Sequence, residues 1–306
     1  MRRKFRLKIH DTVDQLILGN SIEELKKLPD ESIHLILSDI PYGIGFADWD
    51  VLHSNTNSAL GGASPAQIKS RGGFKSRGKP INGWSEADRQ IPMEYQKWCS
   101  TWARTWLRVL KPGASCFVFA GRRYAHRATV ALEEAGFTLR DMITWNKVHG
   151  TLKAQRISKV YERRQDSENS AKFEGWRVGN LRPVFEPVLW FMKPYNQGGT
   201  IADNMLQHGV GAYNLDAWMK YVPDGSNHIE IPNTPSDRGL HPTQKPLRLM
   251  EALIKLATQK GHIVLDPFAG SGTTLVAAQR LGRHYIGVEA NPEYFGVAQQ
   301  RLAQMP

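Results

Sequence analysis

Ile33-His34-Leu35-Ile36-Leu37-Ser38-Asp39-Ile40-Pro41-Tyr42-Gly43 is the stretch from which the fold of this 306-residue chain is read. It opens as an apolar run bounded by turn residues, the pattern of a buried strand in a parallel sheet. The run ends in a carboxylate, a proline-stiffened backbone and an aromatic ring. Ligands of open α/β sheets bind at the carboxyl ends of strands, so Asp39, Ile40, Pro41 and Tyr42 are candidate site residues. A carboxylate accepts hydrogen bonds from an amino group, and a ring stacks on a flat base.

Strands and helices alternate on both sides of this stretch. Leu16-Ile17-Leu18 predicts a short strand ending at Gly19-Asn20, and Ser21 with Glu24 predicts a capping box on a helix over 22–28. Apolar residues recur at helical spacing from Met93 to Lys111, where Lys111-Pro112-Gly113 stops the helix; its tryptophans read as core. Strands are expected over 114–120, 139–145 and 186–193, then a helix from Pro246, and strands again at 263–265 and 284–289. Asn291-Pro292 supplies an N-cap and first-turn proline for the last helix. This order predicts a doubly wound, mostly parallel α/β sheet in one catalytic domain spanning 1–306. Three segments interrupt it. Residues 44–91 read as a basic Gly-rich loop, 148–183 as an irregular basic insertion, and 194–240 as an aperiodic stretch suited to reading a target sequence.

The formal net charge is +11, which points to a polyanionic partner such as nucleic acid. Lys69, Arg71, Lys75 and Arg77 in the first segment, and Lys153, Arg156, Lys159, Arg163 and Arg164 in the second, are candidate phosphate contacts. Two cysteines, Cys99 and Cys116, have no metal-ligand spacing, so no metal site and no disulfide framework is expected. No apolar run approaches the ~20 residues of a membrane span. The cytoplasm, beside the nucleoid, is the expected location.

A second site signal lies at Leu265-Asp266-Pro267-Phe268-Ala269-Gly270-Ser271-Gly272-Thr273-Thr274. A strand, a glycine turn and a helix start bring backbone close to a ligand. A dinucleotide fingerprint requires a further glycine at 275, where leucine stands, and a phosphate loop requires Gly-Lys-Ser/Thr, which is missing. Asp266 before the glycines repels phosphate and suits a ligand bearing an amine or a positive charge. Glu289 ends the next strand, where a carboxylate can grip both hydroxyls of a ribose. An adenosine carrying positive charge is S-adenosyl-L-methionine.

The combination resembles the DNA amino-methyltransferases that modify exocyclic amines of adenine or cytosine. Asp39-Ile40-Pro41-Tyr42 is similar to that family's Asp-Pro-Pro-Tyr, and Asp266 to Thr273 to its cofactor turn. Thr243-Gln244-Lys245-Pro246 and Gly19-Asn20 also fall where the family has motifs. Catalytic motif before cofactor motif looks like the β class, which implies a circularly permuted, seven-stranded S-adenosylmethionine-dependent methyltransferase sheet. The C-terminal strands then lie beside the N-terminal ones. By resemblance, Asp39, Asp266, Phe268, Gly270, Ser271, Gly272, Thr273 and Lys245 hold the methionine part or the turn around it. Glu289 takes the ribose hydroxyls, and Asn20 lies near the cofactor adenine. The resemblance also implies double-stranded DNA as substrate, and it admits a homodimer and a cognate restriction endonuclease as partners.

An amino group inside a duplex is out of reach, so the base must be flipped out at a cost of a few kcal/mol. Tyr42 would stack on it, while Asp39 and the Ile40 carbonyl accept its amino hydrogens. Aspartate at position 39 favours adenine N6; cytosine-N4 enzymes usually begin this tetrapeptide with serine. A degenerate module that binds DNA without turnover is the alternative of another class, and its support is Ile40 in place of the family's first proline.

Overall fold

The structure, a computed structural model, describes residues 13–42, 86–148, 154–234, 237 and 244–305. β1 (Gln15–Leu18) is followed by α1 (Ser21–Glu24), which a 3₁₀ turn extends to Lys27. Asn20 caps this helix, its side chain accepting from the Ile22 amide at 2.9 Å. The expected Ser21–Glu24 capping box therefore does not form: Ser21 is already helical, and Glu24 pairs with Lys27 instead.

β2 (Ile33–Asp39), α2 (Glu86–Val109), β3 (Leu110–Phe119), α3 (Ala125–Ala135) and β4 (Thr138–Asn146) come next. α2 begins at Glu86, ahead of Met93 where the apolar pattern starts, with Pro92 inside the helix, and the chain enters β3 directly at Leu110. Gly136 ends α3 in the left-handed region at φ 108°. β5 (Gln155–Arg156), α4 (Ile157–Arg163), α5 (Ser167–Lys172) and β6 (Arg177–Val178) then form a small module closed by an antiparallel β5–β6 pair. β7 (Phe185–Met192), α6 (Ile201–His208), α7 (Leu215–Met219) and β8 (His228–Glu230) precede α8 (Leu247–Ala257). β9 (Ile263–Asp266), α9 (Thr273–Arg280), β10 (His284–Glu289) and α10 (Pro292–Ala303) complete the chain, with Asn291 capping α10 as expected.

Two segments read as irregular thus hold short helices. Their helices have five to eight residues, too few to show a repeating apolar face, and three of the four carry a side-chain N-cap. Asp166 caps α5, Thr200 and Asp203 form a capping box on α6, and Asn214 caps α7.

Among the described residues the sheet has eight strands in the order β1-β10-β9-β2-β3-β7-β4-β8, one more than expected. The addition is the three-residue β8, paired parallel to β4, which is too short to show alternation. β1, β10, β9, β2 and β3 run parallel, and β7 is antiparallel to β3 and β4. The C-terminal β9 and β10 sit between β1 and β2, which is the expected permutation.

Side chains alternate between the faces with the period of two that strands impose. Cys116 and Val118 of β3 join the core beneath α2 and α3, together with Trp102 and Trp106. Phe117 and Phe119 face the other core, under α8 and α9. Burial pushes both cysteine thiols far up, so Cys99 and Cys116 are inert core residues.

Strand direction decides what each connection can reach. The carboxyl ends of β10, β9, β2, β3, β4 and β8 share one edge with the amino end of β7. Residues 147–184 connect the carboxyl end of β4 to the amino end of β7, so the β5–α4–α5–β6 module is joined to the edge of the sheet that carries Asp39. Residues 193–227, part of the stretch expected to read a target, join β7 to β8 along the opposite edge.

Candidate active site

Asp39, Asp266 and Glu289 are the last residues of β2, β9 and β10, so pairing alone brings three carboxylates to one edge. Between them lies a cavity of about 540 Å³. Asn20, Asp39, Ile40, Pro41, Tyr42, Lys245, Asp266, Phe268, Gly270, Ser271, Thr273 and Glu289 line it, all of them expected from the sequence. Gly272 does not. It sits behind the turn at φ 77°, where an added Cβ would come within 2.9 Å of the Ala298 Cβ.

On the β9–β10 side the carboxylates are held by uncharged donors, most of them main-chain amides. Glu289 accepts from the amides of Gly270 and Asn291, both at 2.7 Å, which leaves each oxygen a second lone pair for a ligand. Burial raises its pKa above the ordinary carboxylate range. Asp266 is 2% exposed and accepts from the Ser38 hydroxyl at 2.7 Å and the Phe268 amide at 3.1 Å. Burial pushes it up to about 6, against the pull of those hydrogen bonds. Arg301 of α10 reaches back to the Ser271 carbonyl at 2.6 Å and the Thr273 hydroxyl at 3.0 Å, pinning the turn. Phe268 packs on Trp98, Trp102 and Trp106 of α2, with ring centroids 5.8–6.2 Å apart. Trp98 and Trp102 also line the cavity, so part of the tryptophan stripe is wall as well as core.

On the β2 side the partners are charged side chains. Lys245, 3% exposed, forms an ion pair with Asp39 and lies 3.7 Å from Glu186. Glu186, on β7, also pairs with Lys147 and accepts from the Tyr42 hydroxyl at 3.1 Å. Burial raises the Asp39 pKa more than Lys245 lowers it, and the Glu186 charge adds to the rise. Burial would raise Glu186 as well, but Lys245, Lys147 and the Tyr42 hydroxyl together hold it below the usual range. Oδ1 of Asp39 is buried with no hydrogen-bond partner among the described residues, as are both amide atoms of Gln244, which is 8% exposed on the cavity wall. Such groups are costly unless something fills the cavity and bonds to them.

The backbone after Asp39 is braced without a second proline. Ile40 is 1% exposed and its amide donates to the Phe119 carbonyl at 3.3 Å. The Tyr95 hydroxyl from α2 donates to the Pro41 carbonyl at 2.9 Å. Gly121 leaves room for the ring, since a Cβ there would lie 3.0 Å from Tyr42.

Arg156, Lys159, Arg163 and Arg164 are exposed on the β5–α4–α5–β6 module, outside the cavity. Lys159 pairs with Glu162, and Arg164 lies over the Tyr161 ring at 5.7 Å. Lys69, Arg71, Lys75, Arg77, Lys153 and Thr243 lie outside the described residues. Sequence reasoning missed Glu186, Lys147, Tyr95, Arg301 and Gln244 as site residues. Gln244 alone carried a signal, since it sits within a motif already singled out. Among the described residues no His/Cys/Asp/Glu group is arranged to hold a metal, and no helix is long and apolar enough to cross a membrane.

Comparison with known proteins agrees with this site. Residues 33–300 match the family model described as DNA methylase, of the N6/N4 type. Type II methyltransferase M.HindIII of Haemophilus influenzae is 55% identical over 295 residues, covering 95% of each chain. Type II methyltransferase M.HinfI of the same species is 26% identical over 302 residues, covering 97% of this chain and 70% of its own. Among solved structures, the cytosine-N4-specific PvuII DNA methyltransferase superposes with a TM-score of 0.61 at 19% identity, over 94% of this chain and 85% of that one. TTHA0409 of Thermus thermophilus, solved with S-adenosyl-L-methionine, gives 0.57 at 20% identity, over 95% and 93%. The chain belongs to the N6/N4 DNA methylase family and is a DNA methyltransferase of the S-adenosylmethionine-dependent fold.

Proposed function

We propose that this DNA methyltransferase methylates the N6 amino group of adenine, at one target sequence, in a base flipped out of the duplex. The carrying observation is Asp39, at the end of β2, with an unpartnered Oδ1 in the same cavity as Asp266 and Glu289. An orphaned, buried acceptor asks for a donor, and an exocyclic amine is one. Aspartate rather than serine opening the tetrapeptide is what favours adenine over cytosine.

The residues present fit the cofactor. Glu289, already oriented by two amides, offers free lone pairs to ribose hydroxyls. Asp266, Phe268, Gly270, Ser271, Thr273 and Lys245 surround the place for the methionine part, Gly272 shapes the turn from behind, and Asn20 borders the adenine end. S-adenosyl-L-methionine, when bound, supplies an electrophilic methyl group on a sulfonium. Everything else falls to the protein. Tyr42 stacks on the flipped base, and Asp39 and the Ile40 carbonyl accept its amino hydrogens, turning the nitrogen lone pair out of ring conjugation. As that nitrogen commits its lone pair, Asp39 holds the proton it sheds, and burial makes Asp39 a better proton acceptor than a solvated aspartate. Trp98 and Phe268 help keep water from the reacting centre.

Target reading is assigned to the module over 148–183, because it rises from the edge that carries Asp39. Arg156, Lys159, Arg163 and Arg164, with Lys153, then contact phosphates. Lys69, Arg71, Lys75 and Arg77, which lie outside the described residues, are further candidate phosphate contacts. Action on chromosomal DNA places the protein in the cytoplasm at the nucleoid. A cognate restriction endonuclease and a homodimer are the partners this reading adds. DNA bearing the M.HindIII target site is the first substrate to try, given the 55% identity to that relative. Methylation-sensitive sequencing of DNA from cells expressing the chain tests the whole reading. Modified adenines at one recurring sequence are expected, and unmodified DNA would overturn it.

A further inference from the structure

Glu186 stands just outside the cavity and has no part in the reading so far. It is the second residue of the antiparallel strand β7, with a side chain 13% exposed. One of its oxygens pairs with Lys147, which follows β4. The other accepts from the Tyr42 hydroxyl at 3.1 Å and lies 3.7 Å from the Lys245 ammonium. Two lysines and three acidic or phenolic groups from four chain segments therefore share one buried network. A buried cation between two carboxylates divides its field between them, and each gains or loses by what the other takes.

We propose that Glu186 is a positioning residue for methyl transfer: it shares the Lys245 cation and the Tyr42 hydroxyl, and so sets how strongly Asp39 accepts the target amine's proton. The inference rests on the reading of Asp39 as that acceptor. With Glu186 ionised, Lys245 is drawn partly away from Asp39, which keeps a basic oxygen facing the cavity. Without that charge, Lys245 is drawn more fully to Asp39 and makes it a weaker base. The groups facing Asp39 are Lys245 before α8, Glu186 on β7, Tyr42 beyond β2 and Asp266 on β9. Of these, Glu186 alone bears on both Lys245 and Tyr42 from outside the cavity.

Glu186→Gln keeps an acceptor for Tyr42 and removes the charge. Single-turnover methylation of a DNA duplex, followed from about pH 5 to about pH 9, reads the effect. It is run beside binding of S-adenosylhomocysteine and the fluorescence of 2-aminopurine at the target position. The expected outcome is a transfer rate lower by about ten- to a hundredfold, with an acid limb moved to lower pH. Cofactor-product affinity and the base-flipping signal stay within about twofold of wild type. Lys147→Gln leaves Glu186 with Lys245 as its remaining cation, so the acid limb should move the opposite way, to higher pH. That variant keeps the test open if Glu186→Gln does not fold. An unmoved acid limb in both variants, or equal losses of rate, cofactor affinity and thermal stability, would overturn the proposal. If Asp39→Ala transfers methyl groups at the wild-type rate, the reading of Asp39 fails instead, whatever Glu186 does.

Discussion

The two halves of the carboxyl edge hold their carboxylates by different means. At the ends of β9 and β10, Asp266 and Glu289 are gripped by uncharged donors, the backbone amides of the turns that follow them and, for Asp266, the Ser38 hydroxyl. At the end of β2, Asp39 is gripped by Lys245, itself held by Glu186, which Lys147 and Tyr42 hold in turn. Main-chain donors cannot leave without unfolding a turn, so the first half is a preformed receptor. Side-chain cations can be shared and shifted, so the second half can change its basicity as a substrate arrives. The proposed function places cofactor binding in the rigid half and chemistry in the polarisable one.

That division predicts separable losses. Asp39→Asn should cut the transfer rate by at least about a thousandfold while leaving S-adenosylhomocysteine affinity within a few fold. Calorimetric titration beside single-turnover kinetics checks it, and a parallel loss of affinity would merge the two halves. Gly272→Ala attacks the rigid half from behind, combining a positive φ with a Cβ 2.9 Å from Ala298. Its cost should be about 1–2 kcal/mol in denaturant unfolding, with cofactor affinity falling alongside.

Asp266 gives a smaller, pH-dependent effect. Its folded pKa, raised to about 6, exceeds its unfolded value, so the native state holds the extra proton and stability falls as pH rises through that window. Asp266→Asn does not titrate. Relative to wild type it should gain about 1 kcal/mol between about pH 5 and about pH 7, measured by chemical unfolding. Smallest of all should be Arg163→Ala with Arg164→Ala, which touch neither half. They should lower the slope of log affinity for DNA against log salt by about one to two, with the transfer rate on bound DNA unchanged.

The same contrast explains what could be read in advance. The rigid half is local: Asp266, its glycines and Thr273 lie within one turn, and a single stretch of sequence carries nearly all of it. The permutation was implied by the family resemblance that the order of the two motifs carries. The polarisable half joins residues 39, 147, 186 and 245, whose proximity exists only once β7 runs antiparallel between β3 and β4. Nothing around Glu186 marks it as more than a strand residue. Short helices were hidden for a related reason, since Asp166, Thr200 and Asn214 signal them by caps and not by periodicity. The placement of residues 193–227 on the far edge likewise needed strand directions, which composition does not encode.

The central claim is that Asp39 presents its free oxygen to an adenine amine. Mass spectrometry of nucleosides, after DNA is incubated with the purified protein and S-adenosyl-L-methionine, tests it most directly. N6-methyladenine should appear with the wild type and vanish with Asp39→Ala. N4-methylcytosine in its place, or N6-methyladenine that persists in the variant, would contradict it.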